Sequence, residues 1–139
     1  MIKIIFFLFL SLIVKLASSQ AIDTVPPTIE LKKIIIINSN GDSLIYRDSE
    51  NFPKEIKIKN GTKIQFEFIG KVNVKPQKVL YKTRLKGKGK DWSPVTRNNF
   101  LIYENLKEGN YSLRIHACNS SLIWTKNAFV FEFKIVILQ

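Results

Sequence analysis

The sequence is poor in the residues that build reactive sites. Its 139 residues include one cysteine, Cys118, and one histidine, His116. A single cysteine excludes an intramolecular disulfide, so the fold must depend on side-chain packing for its stability. We expect Cys118 to be a small, half-buried strand residue, the alternative being a disulfide between two chains.

Catalytic and metal-binding constellations are missing as well. His116 and Cys118 lie two residues apart on a predicted strand, but a metal site needs three or four ligands. A Cys–His nucleophile needs an orienting group and an oxyanion hole, for which there are no candidates. The Gly87-Lys88-Gly89 segment opens no helix, as a phosphate-binding loop would. We therefore predict no catalytic residue, no metal and no cofactor, and a protein that is not an enzyme.

Long apolar runs are few, and the first lies at the N-terminus. Residues 1–19 have the layout of a secretory signal: Lys3, an apolar run from Ile4 to Val14, and small residues ending at Ser19. The run is shorter than the roughly 17 to 25 residues of a membrane-spanning helix, so we favour a cleaved signal over an uncleaved anchor. The sequence therefore predicts an exported protein, periplasmic or extracellular, without a transmembrane helix after cleavage.

Acidic residues are half as frequent as basic ones, 11 against 22, which gives a net charge of +11. Two of these charges, Lys3 and Lys15, lie in the predicted signal. A basic surface can attract acidic polysaccharide, anionic lipid or nucleic acid, and export argues against nucleic acid. The alternative is a solvated lysine face that reflects composition alone. The candidates for a basic binding face are Lys82, Arg84, Lys86, Lys88 and Lys90.

Apolar residues after the signal recur with a period of two, which is typical of strands. Residues 20–28 contain Pro26-Pro27 and predict an extended lead-in, and residues 29–139 form one domain. Strands are predicted over Ile29–Ile37, Leu44–Tyr46, Glu55–Lys59, Thr62–Ile69, Lys78–Lys86, Asn99–Glu104, Asn110–Asn119 and Ala128–Leu138. Such spacing predicts an all-β fold, an antiparallel immunoglobulin-like sandwich of two sheets with seven to eight strands.

Two local signals refine this fold. Asn60-Gly61 is a strong two-residue turn signal and predicts an antiparallel hairpin between the strands on either side of it. Trp92 follows the polar turn that ends at Asp91, and we expect its large ring to cover the end of the core. Trp124 is also predicted to be a core residue, although an exposed tryptophan could instead stack on a sugar ring.

The segment from Leu106 to Tyr111 has the layout of a tyrosine corner. In such a corner a leucine anchors the incoming chain, a glycine supplies the bend, and a tyrosine hydroxyl bonds to the backbone a few residues upstream. Leu106, Gly109 and Tyr111 are the candidates for these roles. The alternative is that Tyr111 is simply an inward-facing aromatic.

Together these motifs make residues 62–138 resemble the three-Y domain of two-component regulators. The positions that carry the resemblance are the three tyrosines Tyr81, Tyr103 and Tyr111, the Asp-Trp turn Asp91-Trp92, the corner residues Leu106 and Gly109, and the late Trp124. The chain departs from the family pattern at Ser120–Ile123, where the family tends to have an Asp-Gly turn.

The resemblance implies an extracytoplasmic module, which in relatives follows a β-propeller and precedes a membrane helix and a kinase or DNA-binding output. We expect an interaction module that pairs with itself or a protein partner through a sheet face or edge, one interpretation being a stand-alone remnant of a larger sensor. The alternative is a secreted protein that binds an acidic glycan or an anionic surface. Because the family is bacterial, we discount the glycosylation sequons at Asn60, Asn110 and Asn119.

Overall fold

The computed structural model describes residues 23–73 and 78–139, so the predicted signal and the start of the lead-in lie outside the described residues. This part of the chain contains eight strands and one short 3-10 turn, which confirms the predicted fold class. The strands are β1 (Thr28–Ile37), β2 (Ser43–Tyr46), β3 (Glu55–Ile58), β4 (Lys63–Lys71), β5 (Leu80–Lys86), β6 (Phe100–Glu104), β7 (Gly109–Cys118) and β8 (Phe129–Ile137).

The strands form two four-stranded sheets. Sheet A has the order β2-β1-β4-β6, and sheet B has the order β3-β8-β7-β5. All pairs are antiparallel except β3 and β8, which run parallel. Most consecutive strands lie in opposite sheets, so the connections close the two sheets over a shared interior.

The prediction that the strands on either side of Asn60-Gly61 pair as a hairpin is wrong. The turn is present, with Gly61 at a positive φ of 86°, but β3 pairs with β8 in sheet B while β4 pairs with β1 and β6 in sheet A. Both sides of β4 are occupied by longer strands, which leaves no place for β3 there. The Asn-Gly signal reports the backbone conformation of the turn, whereas the partner of each strand is decided by packing across the whole domain.

The core is a layer of inward side chains from both sheets. The alternation predicted for Ile64, Phe66 and Phe68 is confirmed, since all three are buried. Phe66 meets Phe133 of the opposite sheet, with ring centroids 5.4 Å apart. Each fully buried large apolar side chain contributes about 1.5 to 3 kcal/mol. The other fully buried apolar residues of the core are Ile34, Ile56, Leu113, Ile115, Ala117 and Ile135.

A buried amide fastens the lead-in to the domain. Asn119 is 0% exposed, and its Nδ2 donates to the carbonyl oxygens of Asp23 and Val25, both at 2.9 Å. Its Oδ1 accepts from the backbone N–H groups of Ser121 and Ile123, both at 3.0 Å. One side chain thus joins the lead-in to the loop that departs from the family pattern. The side-chain nitrogen of Asn119 is buried, so this sequon cannot be glycosylated in the folded chain.

Replacing Asn119 by alanine should lower the free energy of unfolding by about 3 kcal/mol, because four hydrogen bonds are lost and buried backbone groups are left without partners. Urea denaturation measures the change. Asn60→Ala is the matched control, since Asn60 is exposed. Equal unfolding midpoints for the two variants would contradict this role of Asn119.

Candidate interaction surfaces

The tyrosine corner is confirmed. The Tyr111 hydroxyl donates to the carbonyl oxygen of Lys107 at 2.6 Å, four residues upstream. Leu106 is buried, and Gly109 has a φ of 150° at the start of β7. The Tyr111 ring stacks on Phe133 with centroids 5.5 Å apart. The corner therefore joins the β6–β7 loop to the aromatic part of the core.

The other two tyrosines of the family motif also build the sandwich. The hydroxyl of Tyr81 in sheet B accepts a hydrogen bond from the Gly70 N–H in sheet A at 2.8 Å, which links the two sheets directly. A Cβ at Gly70 would lie 2.8 Å from Val79 and 3.3 Å from the Tyr81 ring, so this approach requires glycine. Tyr103 packs edge-on against Phe66, and burial raises its pKa to about 12.

Tyr111→Phe removes the hydroxyl and keeps the ring. We expect the free energy of unfolding to fall by about 1 kcal/mol, since the Lys107 carbonyl loses its donor. Denaturant titration followed by tryptophan fluorescence measures the shift. An unchanged midpoint would show that the hydrogen bond of the corner does not stabilise the fold.

The two tryptophans lie outside the core, which corrects the prediction for both. Trp92 and Trp124 are half-buried on the outer face of sheet B. Lys82 Nζ lies 5.8 Å from the centroid of Trp92 and 4.9 Å from that of Trp124. The reason is the path of the chain after Asp91, because Ser93 hydrogen-bonds along the edge of β5 and this directs the preceding Trp92 ring onto the outward residues.

His116 and Cys118 are engaged in the fold and do not form a joint site. His116 Nδ1 is 2.7 Å from Thr125 Oγ1, and its ring lies 5.1 Å from that of Trp92. Burial, followed by the nearby Lys82 charge, lowers the pKa of His116. Cys118 is fully buried rather than half-buried, and burial raises the pKa of its thiol. Within residues 23–73 and 78–139, no group of three or more acidic, histidine or cysteine side chains could hold a metal ion.

The outer face of sheet B concentrates positive charge. Lys82, Arg84 and Lys86 alternate along β5 and point the same way. In the register of β5 with β7, Lys82 lies opposite His116 and Arg84 lies opposite Arg114. With Lys134 of β8, the residues Lys82, Arg84, Lys86 and Arg114 form what we term the basic face.

The remaining two candidates of the predicted basic surface lie elsewhere. Lys88 Nζ sits 5.3 Å from the centroid of Tyr103, which belongs to sheet A. Lys90 is exposed in the turn after β5. Conversely, Arg114 and Lys134 belong to the face although the sequence pattern did not indicate them. The missing signal was the strand register, which places Arg114 of β7 opposite Arg84 and Lys134 of β8 opposite Asn110 of β7.

A groove of about 560 Å³ runs beside the basic face. Its wall at the end of β5 is Gly87, which has a φ of 111°, and a Cβ there would lie 2.7 Å from the Asn110 carbonyl oxygen and 2.8 Å from the Tyr111 ring. Glycine is therefore required for the backbone to approach this closely. The groove is lined by Lys54, Lys86, Gly87, Asn110, Tyr111, Ser112, Arg114, Glu132, Phe133 and Lys134.

The outer face of sheet A is different, because apolar side chains reach solvent there. Ile45, Ile35, Gln65 and Ile102 form one row across all four strands, according to the strand register. Phe100 lies next to this row, opposite Glu67. We define the apolar face by Ile35, Ile45, Ile69, Phe100 and Ile102, of which Ile102 is 48% exposed.

Charges on sheet A are compensated. Glu67 pairs with Lys33, and Glu104 pairs with Lys63, each at 3.3 Å. Glu30 pairs with Lys71 and Lys32, whose hydrogen bonds lower its pKa. All four ion pairs found among the described residues lie on this sheet. The two outer faces of the sandwich thus present opposite chemistry, one apolar and neutralised, the other basic.

No helix in the described part of the chain is long and apolar enough to cross a membrane.

The fold and the three packed tyrosines define a class of protein, the immunoglobulin-like sandwich with a tyrosine corner. Residues 72–136 match the model of the Y_Y_Y domain family. The resemblance drawn from the sequence is therefore confirmed. None of the curated proteins matches the chain.

Solved structures with the same fold include extracellular domains from B. thetaiotaomicron. One protein, described once as a one-component and once as a hybrid two-component system, aligns with TM-scores of 0.60 and 0.58 at 22% and 21% identity, over 86% and 84% of this chain. A second hybrid two-component system aligns with a TM-score of 0.55 at 20% identity, over 89% of this chain. The chain covers only 16–17% of those chains, and at these identities the likeness shows the fold alone.

Proposed function

We propose that the chain is a non-catalytic interaction module of an exported, sensor-type protein, and that it associates with a second copy of itself through the apolar face. Export is supported by the predicted signal and by the extracellular origin of the structural neighbours. The role suits a module within a larger sensor as well as a free-standing copy of one.

The observation that carries the proposal is the apolar face. Ile45, Phe100 and Ile102 are each more than 40% exposed although they lie in regular strands next to a complete core. Burying apolar area against a partner is worth about 25 cal/mol per Å². Exposed apolar side chains grouped on one face, here interspersed with Gln65 and the Lys33–Glu67 pair, are typical of a protein–protein contact.

Charge favours a second copy as the occupant of this face. The whole chain carries +11, so two copies repel each other over most of their surfaces. On sheet A the lysines are paired with glutamates, as in Lys33–Glu67 and Lys63–Glu104. Two copies can therefore approach face to face there with little net repulsion, and a two-fold arrangement brings the same patch of each copy together.

The edge of β5 is a poorer site for association. Thr96 exchanges two backbone hydrogen bonds with Tyr81 across that edge, and the Ser93 N–H donates to the Thr83 carbonyl oxygen at 2.7 Å. The segment that follows Trp92 therefore occupies the positions that an added strand would need.

Sedimentation velocity over a range of chain concentrations tests the proposal. The wild-type chain should show a concentration-dependent dimer, and Ile102→Gln should weaken dimerisation by about tenfold or more, because it replaces the most exposed isoleucine of the apolar face by a polar amide. Unfolding midpoints of both proteins verify that the fold is retained.

Val130→Gln is the matched control, since Val130 is 45% exposed on the outer face of sheet B. It should dimerise like the wild type. A wild-type chain that remains monomeric at the highest concentration, or two variants that lose dimerisation equally, would overturn the proposed self-association.

A further inference from the structure

We infer that the groove beside the basic face binds an oligosaccharide that carries sulfate or carboxylate groups. This site is independent of the apolar face, because it lies on the opposite side of the sandwich. It therefore adds a ligand to the association proposed above and does not depend on it.

The first argument is an uncompensated pair of arginines. Arg84 and Arg114 lie directly opposite each other in adjacent strands, an arrangement that destabilises a sheet when both residues carry like charge. Among the described residues, Arg84 Nε is the one buried side-chain nitrogen or oxygen without a hydrogen-bond partner. A buried donor without an acceptor costs about 1 to 3 kcal/mol. An oxyanion held by the outer guanidinium nitrogens of the pair would offset their repulsion, with Arg114 lining the groove and Arg84 lying beside it in the adjacent strand.

The second argument is the composition of the groove. Its walls hold four basic side chains, of Lys54, Lys86, Arg114 and Lys134, against one acidic side chain, of Glu132. Arg114 Nε donates to Ser112 Oγ at 3.5 Å, a long bond that leaves the guanidinium able to take a better acceptor. Guanidinium groups bind sulfate and carboxylate through paired hydrogen bonds.

The third argument distinguishes a sugar chain from a membrane. The site is an open groove whose volume of about 560 Å³ lies within the usual range of small-ligand pockets. Asn110 and Ser112 supply an amide and a hydroxyl that can bond to sugar hydroxyls. Further along β5, the half-buried rings of Trp92 and Trp124 flank Lys82 on the same face. A membrane surface would call for several apolar side chains projecting outward beside the lysines, and among the strand residues of sheet B only Val130 is a strongly exposed large apolar residue, against five on sheet A.

Calorimetric titration with dextran sulfate, using uncharged dextran as the reference polymer, tests the inference. The chain should bind dextran sulfate and not dextran, and the affinity should fall as salt is raised because the charges become screened. Arg84→Gln and Arg114→Gln should each weaken binding by about tenfold or more, since a charge-assisted hydrogen bond is lost.

Arg47→Gln is the matched control, since Arg47 is an exposed arginine near Glu30 on sheet A and its loss changes the net charge equally. It should bind nearly as the wild type does. An equal loss in Arg47→Gln and Arg84→Gln would overturn the site, because the attraction would then reflect net charge alone. Unfolding midpoints identify a variant that loses binding through misfolding, and Lys86→Gln provides a third test of the groove.

Two further measurements assign the ligand class. Vesicles of phosphatidylglycerol and phosphatidylcholine should bind more weakly than dextran sulfate, and the reverse order would overturn the inference in favour of a lipid surface. Sedimentation of Arg84→Gln should still show the wild-type dimer, whereas Ile102→Gln should keep the affinity for dextran sulfate. The failure of either proposal is thus distinguishable from the failure of the other.

Discussion

The structure depends on the contact between the inner faces of two sheets. Each strand places alternate side chains in this layer, and the aromatic rings of Phe66 and Phe133 meet across it at 5.4 Å. Tyrosines fix the closed arrangement, since Tyr81 of sheet B bonds to the Gly70 backbone of sheet A and Tyr111 bonds back to the Lys107 carbonyl. With one cysteine in the chain, no intramolecular disulfide could replace these contacts.

The inward side chains of both sheets build the core. The outward side chains are not needed for it and can differ in chemistry between the two sheets. On sheet A the outward positions hold isoleucines, a phenylalanine and paired charges, whereas on sheet B they hold arginines and lysines with few acidic neighbours. This division makes two kinds of contact possible on one small sandwich, an apolar contact with protein and an electrostatic contact with an anionic ligand. The three tyrosines that characterise the family support both faces from within, and Tyr111 also lines the groove.

The parts of the structure that the sequence predicted are those that depend on local pattern. Alternation in residues such as Ile64, Phe66 and Phe68 revealed which side of each strand is buried, and Leu106, Gly109 and Tyr111 revealed the corner. The partner of β3 could not be predicted, because Asn60-Gly61 specifies a turn whether the strands around it pair or separate. The outward position of Trp92 depends on how the segment after β5 lies along the strand edge, which no residue pattern encodes.

The role of Asn119 was missed for a related reason, since its partners Asp23 and Val25 are about 95 residues away in the sequence. The central claim is that β3 joins sheet B and so lets the two sheets close over one core. A NOESY spectrum of the isotopically labelled chain tests it most directly. The account predicts backbone contacts between Ile56 and Ile135 in parallel register. A ladder of contacts between residues 55–58 and 63–66 would contradict it.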